Sequence, residues 1–178
     1  PALTPIKNYI EGTLGQENWA HDRFDESALQ DILDTQEHVC DYIQKKNPKG
    51  GEMHNICVCI DDFADDARVV RQSKTLISLY LRGRHIKCTT ITSTQVWKAL
   101  HPHIRKNALS LLVLRLRNQT EIEALADELG ALHPLGKKGI LALYREATDE
   151  EYPYLYVELT AKKPVDMFYR KWKKMPLR

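Results

Sequence analysis

The stretch ICVCIDDFADD, residues 56–66, decides how the fold of this chain is interpreted. Its first part, residues 56–60, is wholly apolar, which is typical of a short strand that is covered on both faces of a sheet. Asp61 and Asp62 follow directly. Ligands bind beyond the carboxyl ends of the strands in a parallel sheet. The two carboxylates are therefore candidates to hold Mg²⁺ and to orient or deprotonate an attacking water.

The same aspartates allow other interpretations. Loops after strands are commonly polar, and acidic residues are favourable at the start of a helix, so Asp65 and Asp66 are expected to cap the next helix. Asp61, Asp62 and Asp65 also spell DDxxD, the Mg²⁺–pyrophosphate motif of prenyl-transfer enzymes. Those enzymes are all-helical and carry the motif on a helix, whereas here a strand is predicted to precede it.

The composition is that of an ordinary globular protein. The 178 residues fit one domain, with 43% apolar residues, 28% charged residues and a formal net charge of +2. This balance does not predict nucleic-acid binding by overall charge, so any basic surface must be local. Four cysteines without CxxC spacing predict reduced, mostly buried thiols in an intracellular, reducing compartment. No apolar run is long enough to predict membrane insertion, and a start at Pro1 without methionine is compatible with a fragment.

Strands and helices are predicted to alternate along the chain, which indicates an α/β fold with a mainly parallel sheet flanked by helices. The predicted helices are residues 25–46, 66–81, 96–107 (interrupted at Pro102), 118–131 (capped by Asn118 or Thr120) and 139–147. The predicted strands are residues 56–60, 86–93, 109–116 and 154–159, and residues 166–174 form a final basic and aromatic segment.

A second polar stretch, RGRHIKCTTITSTQ at residues 82–95, surrounds the second predicted strand. Neighbouring parallel strands end on the same side of a sheet, so Gln95 is expected near Asp61 if the two strands are adjacent. A glutamine there can sense a γ-phosphate or position water. Alternatively, Gln95 simply caps the helix that follows it.

Taken together and in this order, several stretches of the chain resemble the FtsK–HerA class of P-loop ATPases. They are ICVCIDDFADD, LYLRGRHIKCTTITSTQ, HIRKNALSLLVLRLRNQTEIE and YPYLYVELTAKKPVDMFYRKW, with PALTPIKNYIEG at the start. The similarity is greatest to the genome-packaging ATPases of poxviruses, giant viruses and related large DNA viruses and transposons. It implies that residues 1–178 are a single partial P-loop ATPase domain, from the Walker B strand to the C-terminus.

The resemblance also implies roles for individual residues. Asp61 would be the Walker B aspartate that binds the Mg²⁺ shell, and Asp62 would polarise the attacking water. Gln95 would be the polar sensor that contacts the nucleotide. Arg84 resembles the arginine that reaches the γ-phosphate of a neighbouring subunit, where it would stabilise transition-state charge. The arginines that compete for this last role are Arg115 and Arg117.

The phosphate-binding loop of the family, GxxxxGK[ST], does not occur in the sequence. Neither Gly12 to Gly15 nor Gly136 to Gly139 fits it, and the central strand that carries the loop is expected to be missing as well. ATP and Mg²⁺ binding would therefore require the missing segment, and the 178 residues alone are expected to be inactive. Two alternatives stay open, a truncated or split ATPase and an inactive remnant. Loss of the central strand should leave an open sheet edge.

The function implied by the resemblance is that of an ATP-driven motor that packages viral-type genomes into capsids. Its partners would be double-stranded DNA, further copies in a hexameric or pentameric ring, and a viral capsid or membrane protein. The alternative is a non-catalytic DNA- or capsid-binding module. Expected locations are the virus factory, cytoplasm or virion of a large DNA virus, or a cell that carries an integrated viral-type element.

Two basic segments are candidates to contact DNA phosphates. The candidate side chains are Lys98, Arg105 and Lys106 after the second strand, and Arg170, Lys171, Lys173 and Lys174 near the end. The last four have another interpretation, an amphipathic terminal helix with its aromatic residues in the core and its lysines in solvent.

Overall fold

The computed structural model describes residues 21, 23–48, 53–61 and 71–177. The helices and strands of this part are α1 (Glu26–Lys46), β1 (Ile56–Ile60), α2 (Lys74–Arg82), β2 (Cys88–Thr92), α3 (Pro102–Asn107), β3 (Ser110–Leu114), α4 (Gln119–Leu129), α5 (Gly136–Ala147), β4 (Tyr154–Glu158), β5 (Phe168–Arg170) and β6 (Lys173–Lys174).

Several helices begin where the sequence places a capping residue. The Asp25 carboxylate accepts hydrogen bonds from the backbone N–H groups of Ser27 and Ala28 at the start of α1. The Asn118 side-chain oxygen accepts one from the backbone N–H of Thr120 at the start of α4. Pro102 occupies the first turn of α3, where a missing N–H costs nothing, so the predicted interruption is the start of a separate helix. Ser73 lies outside α2 and caps it, so a continuous helix over residues 66–81 is wrong at that position.

The strands form two sheets. β1 and β2 are parallel and directly paired, from Ile56 opposite Cys88 to Ile60 opposite Thr92, so the condition under which Gln95 was expected near Asp61 is met. The other sheet has the order β3-β4-β5-β6 and is antiparallel throughout. A mainly parallel sheet was expected, and among the described strands only the β1–β2 pair is parallel.

Chain connections explain the antiparallel sheet. One helix between two strands returns the chain to the end from which it started and so favours parallel pairing. Two helices in succession, α4 and α5, connect β3 to β4, and the chain re-enters from the opposite end. β5 and β6 are joined by the two-residue tip Lys171–Trp172, which permits only an antiparallel hairpin.

The alternative of a terminal amphipathic helix is wrong, because residues 168–174 form the β5–β6 hairpin. The helix alternative placed the aromatic residues of this segment in the core. Phe168 is fully buried there, but Trp172 at the tip of the hairpin is 70% exposed. Lys171 at the tip has a positive φ of 54°, the left-handed conformation that this tight turn needs.

Each sheet is covered by helices that contribute to one core. The first core lies between α1, α2, α3 and one face of the β1–β2 sheet. Its buried residues are Leu29, Leu33, Leu76, Leu79, Cys88, Leu100 and Ile104. The second core lies between α4, α5 and one face of the antiparallel sheet, with Leu125, Ile140, Leu155, Val157 and Phe168 among its buried members.

The β1 strand is covered on one face, which corrects the expectation that both its faces are buried. Ile56, Val58 and Ile60 are half-buried and pack on the first core, whereas Cys57 and Cys59 are exposed. The reason is that the helices of the first core pack against the same side of the strand. The cysteine prediction therefore holds for Cys40 and Cys88, which are buried, and is wrong for the other two.

Candidate functional site

Asp61 and Gln95 lie at the same end of the parallel β1–β2 pair. Asp61 follows Ile60, whose carbonyl accepts a hydrogen bond of 2.8 Å from the backbone N–H of Ser93. Gln95 is two residues beyond Ser93, and both Asp61 and Gln95 are exposed. The strand pairing thus brings the two predicted site residues to the carboxyl ends of neighbouring strands, where ligands bind in parallel sheets.

The end of β2 is held in place by two sets of hydrogen bonds. The Tyr80 hydroxyl on α2 donates to Thr92 Oγ1 at 2.7 Å, and burial raises the pKa of this tyrosine. Thr94 Oγ1 accepts from the backbone N–H of Val96 at 3.2 Å, which shapes the turn that carries Gln95. Sequence analysis did not identify Tyr80 or Thr92 as residues that support the site. Their positions on the inward faces of α2 and β2 could have indicated this contact.

Asp62, the second predicted catalytic carboxylate, lies outside the described residues, as do Asp65 and Asp66. In the part of the chain that is described, no three His, Cys, Asp or Glu side chains are arranged to hold a metal ion. A single exposed carboxylate such as Asp61 nevertheless fits Mg²⁺, which commonly binds one or two carboxylates and completes its shell with water and substrate phosphates.

Arg84 lies at the opposite end of β2 from Gln95. It belongs to the 3₁₀ turn Gly83–Ile86, which precedes the strand, and its side chain is exposed. A strand of five residues is about 16 Å long, so Arg84 is separated by the length of the strand from Asp61 of the same chain. Within one chain it does not complete the site, and its role in a neighbouring subunit stays a prediction.

The competing arginines differ in their surroundings. The Arg115 guanidinium donates to the carbonyl of Thr148, with Nε at 2.8 Å, and so caps the C-terminal end of α5. Cations are favourable at this end of a helix. This contact gives Arg115 a structural role, whereas Arg117 is exposed just before α4.

Of the predicted DNA contacts after β2, Arg105 is part of a connection between the two cores. Its Nε lies 3.0 Å from a Glu128 carboxylate oxygen, its guanidinium lies over the Trp97 ring, and its side chain is 13% exposed. Glu128 also accepts from Trp97 Nε1 at 2.9 Å. Lys98 and Lys106 are exposed, so they are the members of this group that are available to a phosphate backbone.

The basic residues near the C-terminus are partly neutralised. Arg170 and Lys171 contact the Glu150 carboxylate at 3.1 and 3.5 Å, and Lys174 pairs with Asp166. Lys173 is exposed on β6. Because three of the four cations have carboxylate partners, this surface attracts a polyanion less strongly than its sequence suggests.

The exposed thiols of Cys57 and Cys59 were also missed by sequence analysis. Their sulfur atoms lie 3.7 Å apart. Partial burial and the neighbouring Cys57 thiol raise the pKa of Cys59, and burial raises the pKa of Cys88 to about 11. The CxC spacing could have revealed the pair, since residues two apart on a strand point to the same face.

Comparison with known proteins gives one informative similarity. No family model matches the chain. It is 26% identical over 141 residues to "Uncharacterized protein 075L" of Invertebrate iridescent virus 6, a match that covers 79% of this chain and 51% of that protein. The chain thus spans about half the length of this viral relative. Among the described residues, no helix has both the length and the apolar character that a membrane crossing requires.

Proposed function

We propose that this chain is the portion, from the Walker B strand onward, of an ATP-driven motor that moves DNA and packages viral-type genomes. The observation that carries the proposal is the placement of Asp61 and Gln95 at the carboxyl ends of two paired parallel strands. This is where a metal-binding carboxylate and a phosphate-sensing amide are needed in a P-loop ATPase.

The sheet edges support the proposal. β2 and β3 each have one edge that pairs with no other described strand, and the described strands form two sheets instead of one. A missing central strand, which would carry the phosphate-binding loop, is expected to leave such edges. β3 has no charged residue or proline to protect its edge, and Leu112 and Leu114 on it are exposed.

ATP and Mg²⁺ would be the cofactors, and Mg²⁺ would supply positive charge that stabilises phosphoryl transfer. Asp61 would hold the metal through its water shell. Asp62 would orient the attacking water, and Gln95 would contact the γ-phosphate. Arg84 would act on the nucleotide of the next subunit, which requires self-association into a ring of five or six copies.

The viral relative supports a viral-type origin, in a large DNA virus or an integrated element. Double-stranded DNA would be the substrate that is moved, with Lys98, Lys106 and Lys173 as exposed phosphate contacts. A capsid or membrane protein would anchor the ring. These partners are part of the proposal and follow from the resemblance of the sequence to packaging ATPases.

The test uses the longer protein to which the proposal assigns this chain. Asp61→Ala should reduce its DNA-stimulated ATP hydrolysis by about 100-fold or more, because the metal loses its carboxylate, while DNA binding persists. Asp41→Ala, which removes an exposed carboxylate on α1, is the matched control and should keep wild-type activity. Unchanged hydrolysis in Asp61→Ala would contradict the proposed site.

A second candidate, a non-catalytic DNA- or capsid-binding module, is favoured by the lack of GxxxxGK[ST] in the sequence. It predicts DNA binding that ATP and Mg²⁺ do not change, even in the longer protein. Isothermal titration with ATP and Mg²⁺ separates the two candidates. If ATP and Mg²⁺ bind to the longer protein but not to these 178 residues, the ATPase is supported. If they do not bind to the longer protein, the non-catalytic module is supported.

A further inference from the structure

Two thiols share the exposed face of β1. Cys57 and Cys59 are separated by one residue, so the alternation of a strand directs both side chains away from the first core. Both are exposed, and their sulfur atoms are 3.7 Å apart. Cys40 and Cys88 are buried and take no part in this pair.

The separation of the sulfur atoms matches the geometry of a metal chelate. Two thiolates bound to one tetrahedral Zn²⁺ at about 2.3 Å each are about 3.8 Å apart. A disulfide needs much more movement, because its sulfur atoms are about 2.05 Å apart and its Cβ atoms about 3.8 Å. The Cα atoms of residues two apart on a strand are about 6.6 Å apart and their Cβ atoms point in parallel directions. A bridging cation therefore fits β1 with little change, whereas a disulfide would distort it.

We propose that Cys57 and Cys59 form a two-thiolate site for a thiophilic divalent cation of the Zn²⁺ or Cd²⁺ class. Each thiol transfers its proton to solvent as its sulfur binds, so the site gains one cation and releases two protons. Since no third His, Cys, Asp or Glu joins the pair among the described residues, the other coordination positions are open to water or to a ligand from another molecule.

The surroundings favour access to the pair. Thr89 and Ile91, on the same face of the neighbouring strand β2, are also exposed, so no described helix covers the thiols. The site differs from the Mg²⁺ position proposed at Asp61, because Mg²⁺ prefers oxygen ligands and sulfur prefers softer cations. The inference does not rest on the proposed ATPase function.

The experiment is a titration of the reduced, metal-free chain with Cd²⁺, followed through the ultraviolet charge-transfer absorption of cadmium–thiolate bonds. Wild type should bind one Cd²⁺ per chain, and Zn²⁺ should compete for it. Cys57→Ser and Cys59→Ser should each weaken binding by at least about tenfold, because each removes one of two thiolates. His54→Ala, which removes an exposed imidazole just before β1, is the control and should bind like wild type.

Other results would overturn the inference. The inference fails if wild type shows no charge-transfer band. It also fails if either serine variant binds Cd²⁺ with wild-type affinity. Retained binding in the double serine variant would assign the cation to Cys40 or Cys88. Circular dichroism of each variant shows whether it is folded, and serine at two exposed positions is expected to preserve the fold.

Discussion

Gly139 lies in α5 at a point where any larger residue should displace the ring of His133. A Cβ atom at this position would lie 2.6 Å from His133 Cγ and even closer to Nδ1 and Cε1. The ring is 6% exposed, accepts a hydrogen bond of 3.0 Å from the backbone N–H of Leu135, and contacts Phe168 edge-on. Gly139→Ala must therefore move a buried imidazole and break its hydrogen bond.

The expected magnitude is the difference between two opposing effects. Alanine favours a helix over glycine by about 1 kcal/mol. Overpacking of a core costs about 1–3 kcal/mol, and loss of the hydrogen bond adds about 1 kcal/mol. Gly139→Ala should therefore lower the free energy of unfolding by about 1–3 kcal/mol. With His133→Ala already present the obstruction is gone, and the same change should be neutral or stabilise by up to about 1 kcal/mol.

Urea denaturation, followed by circular dichroism, measures the four proteins of this double-mutant cycle. Lys138→Ala, at the exposed position next to Gly139, is the control and should change stability by less than about 0.5 kcal/mol. The decisive observation is the change of sign between the two backgrounds. If Gly139→Ala destabilises both backgrounds equally, the steric argument fails, since the cost would not come from the imidazole.

Two further predictions concern buried polar side chains. Burial lowers the pKa of His133, so the unfolded chain binds more protons than the folded chain as the pH falls below about 6.5. The free energy of unfolding should decrease over this range and level off below the folded-state pKa. His133→Gln should lose less stability than wild type between about pH 7.5 and pH 5.5, and equal losses would assign the effect to other groups. Gln36 on α1 donates to the carbonyls of His54 and Ile86, at 2.8 and 2.9 Å. Gln36→Leu should lower the free energy of unfolding by about 1–3 kcal/mol, because both carbonyls lose the Gln36 amide donor and Ile86 keeps only the weak Cys40 thiol donor. Gln44→Leu on the exposed face of α1 is the control in the same urea assay, and equal effects of the two changes would refute this reasoning.

The elements with strong local signals could be predicted from the sequence. The apolar spacing and the cap Asp25 predict a helix over residues 25–46, and α1 covers Glu26–Lys46. The five-residue apolar run predicts β1 with its observed bounds. Both signals depend only on neighbouring residues, which is why they are reliable for these elements.

Features that depend on distant parts of the chain could not be predicted in this way. The apolar run SLLVL at β3 does not reveal that its partner β4 is antiparallel, because the direction depends on the two helices between them. Exposure of Cys57 and Cys59 depends on which side of β1 the helices occupy. A wholly apolar strand has no polar face from which that side could be read.

The candidate site was predicted in part. The adjacency of β1 and β2 brings Asp61 and Gln95 to one end of the sheet, as the sequence order suggested. The ion pair of Arg105 with Glu128 could not be anticipated, because the two residues come from different helices. A basic residue in a sequence motif can serve packing as well as binding, and only its partners distinguish the two.

The two cores are built from successive, barely overlapping stretches of chain, the first from residues 29–104 and the second mainly from residues 111–177. Such segments can open as separate cooperative units, each with its own free energy of opening. Native-state hydrogen exchange should then show two groups of amides, in α1–β2 and in α4–β5. A ligand at Asp61 should slow exchange chiefly in the first group. Protection that spreads to the second group would point to the contacts of Trp97 and Arg105 with Glu128, which connect the two units.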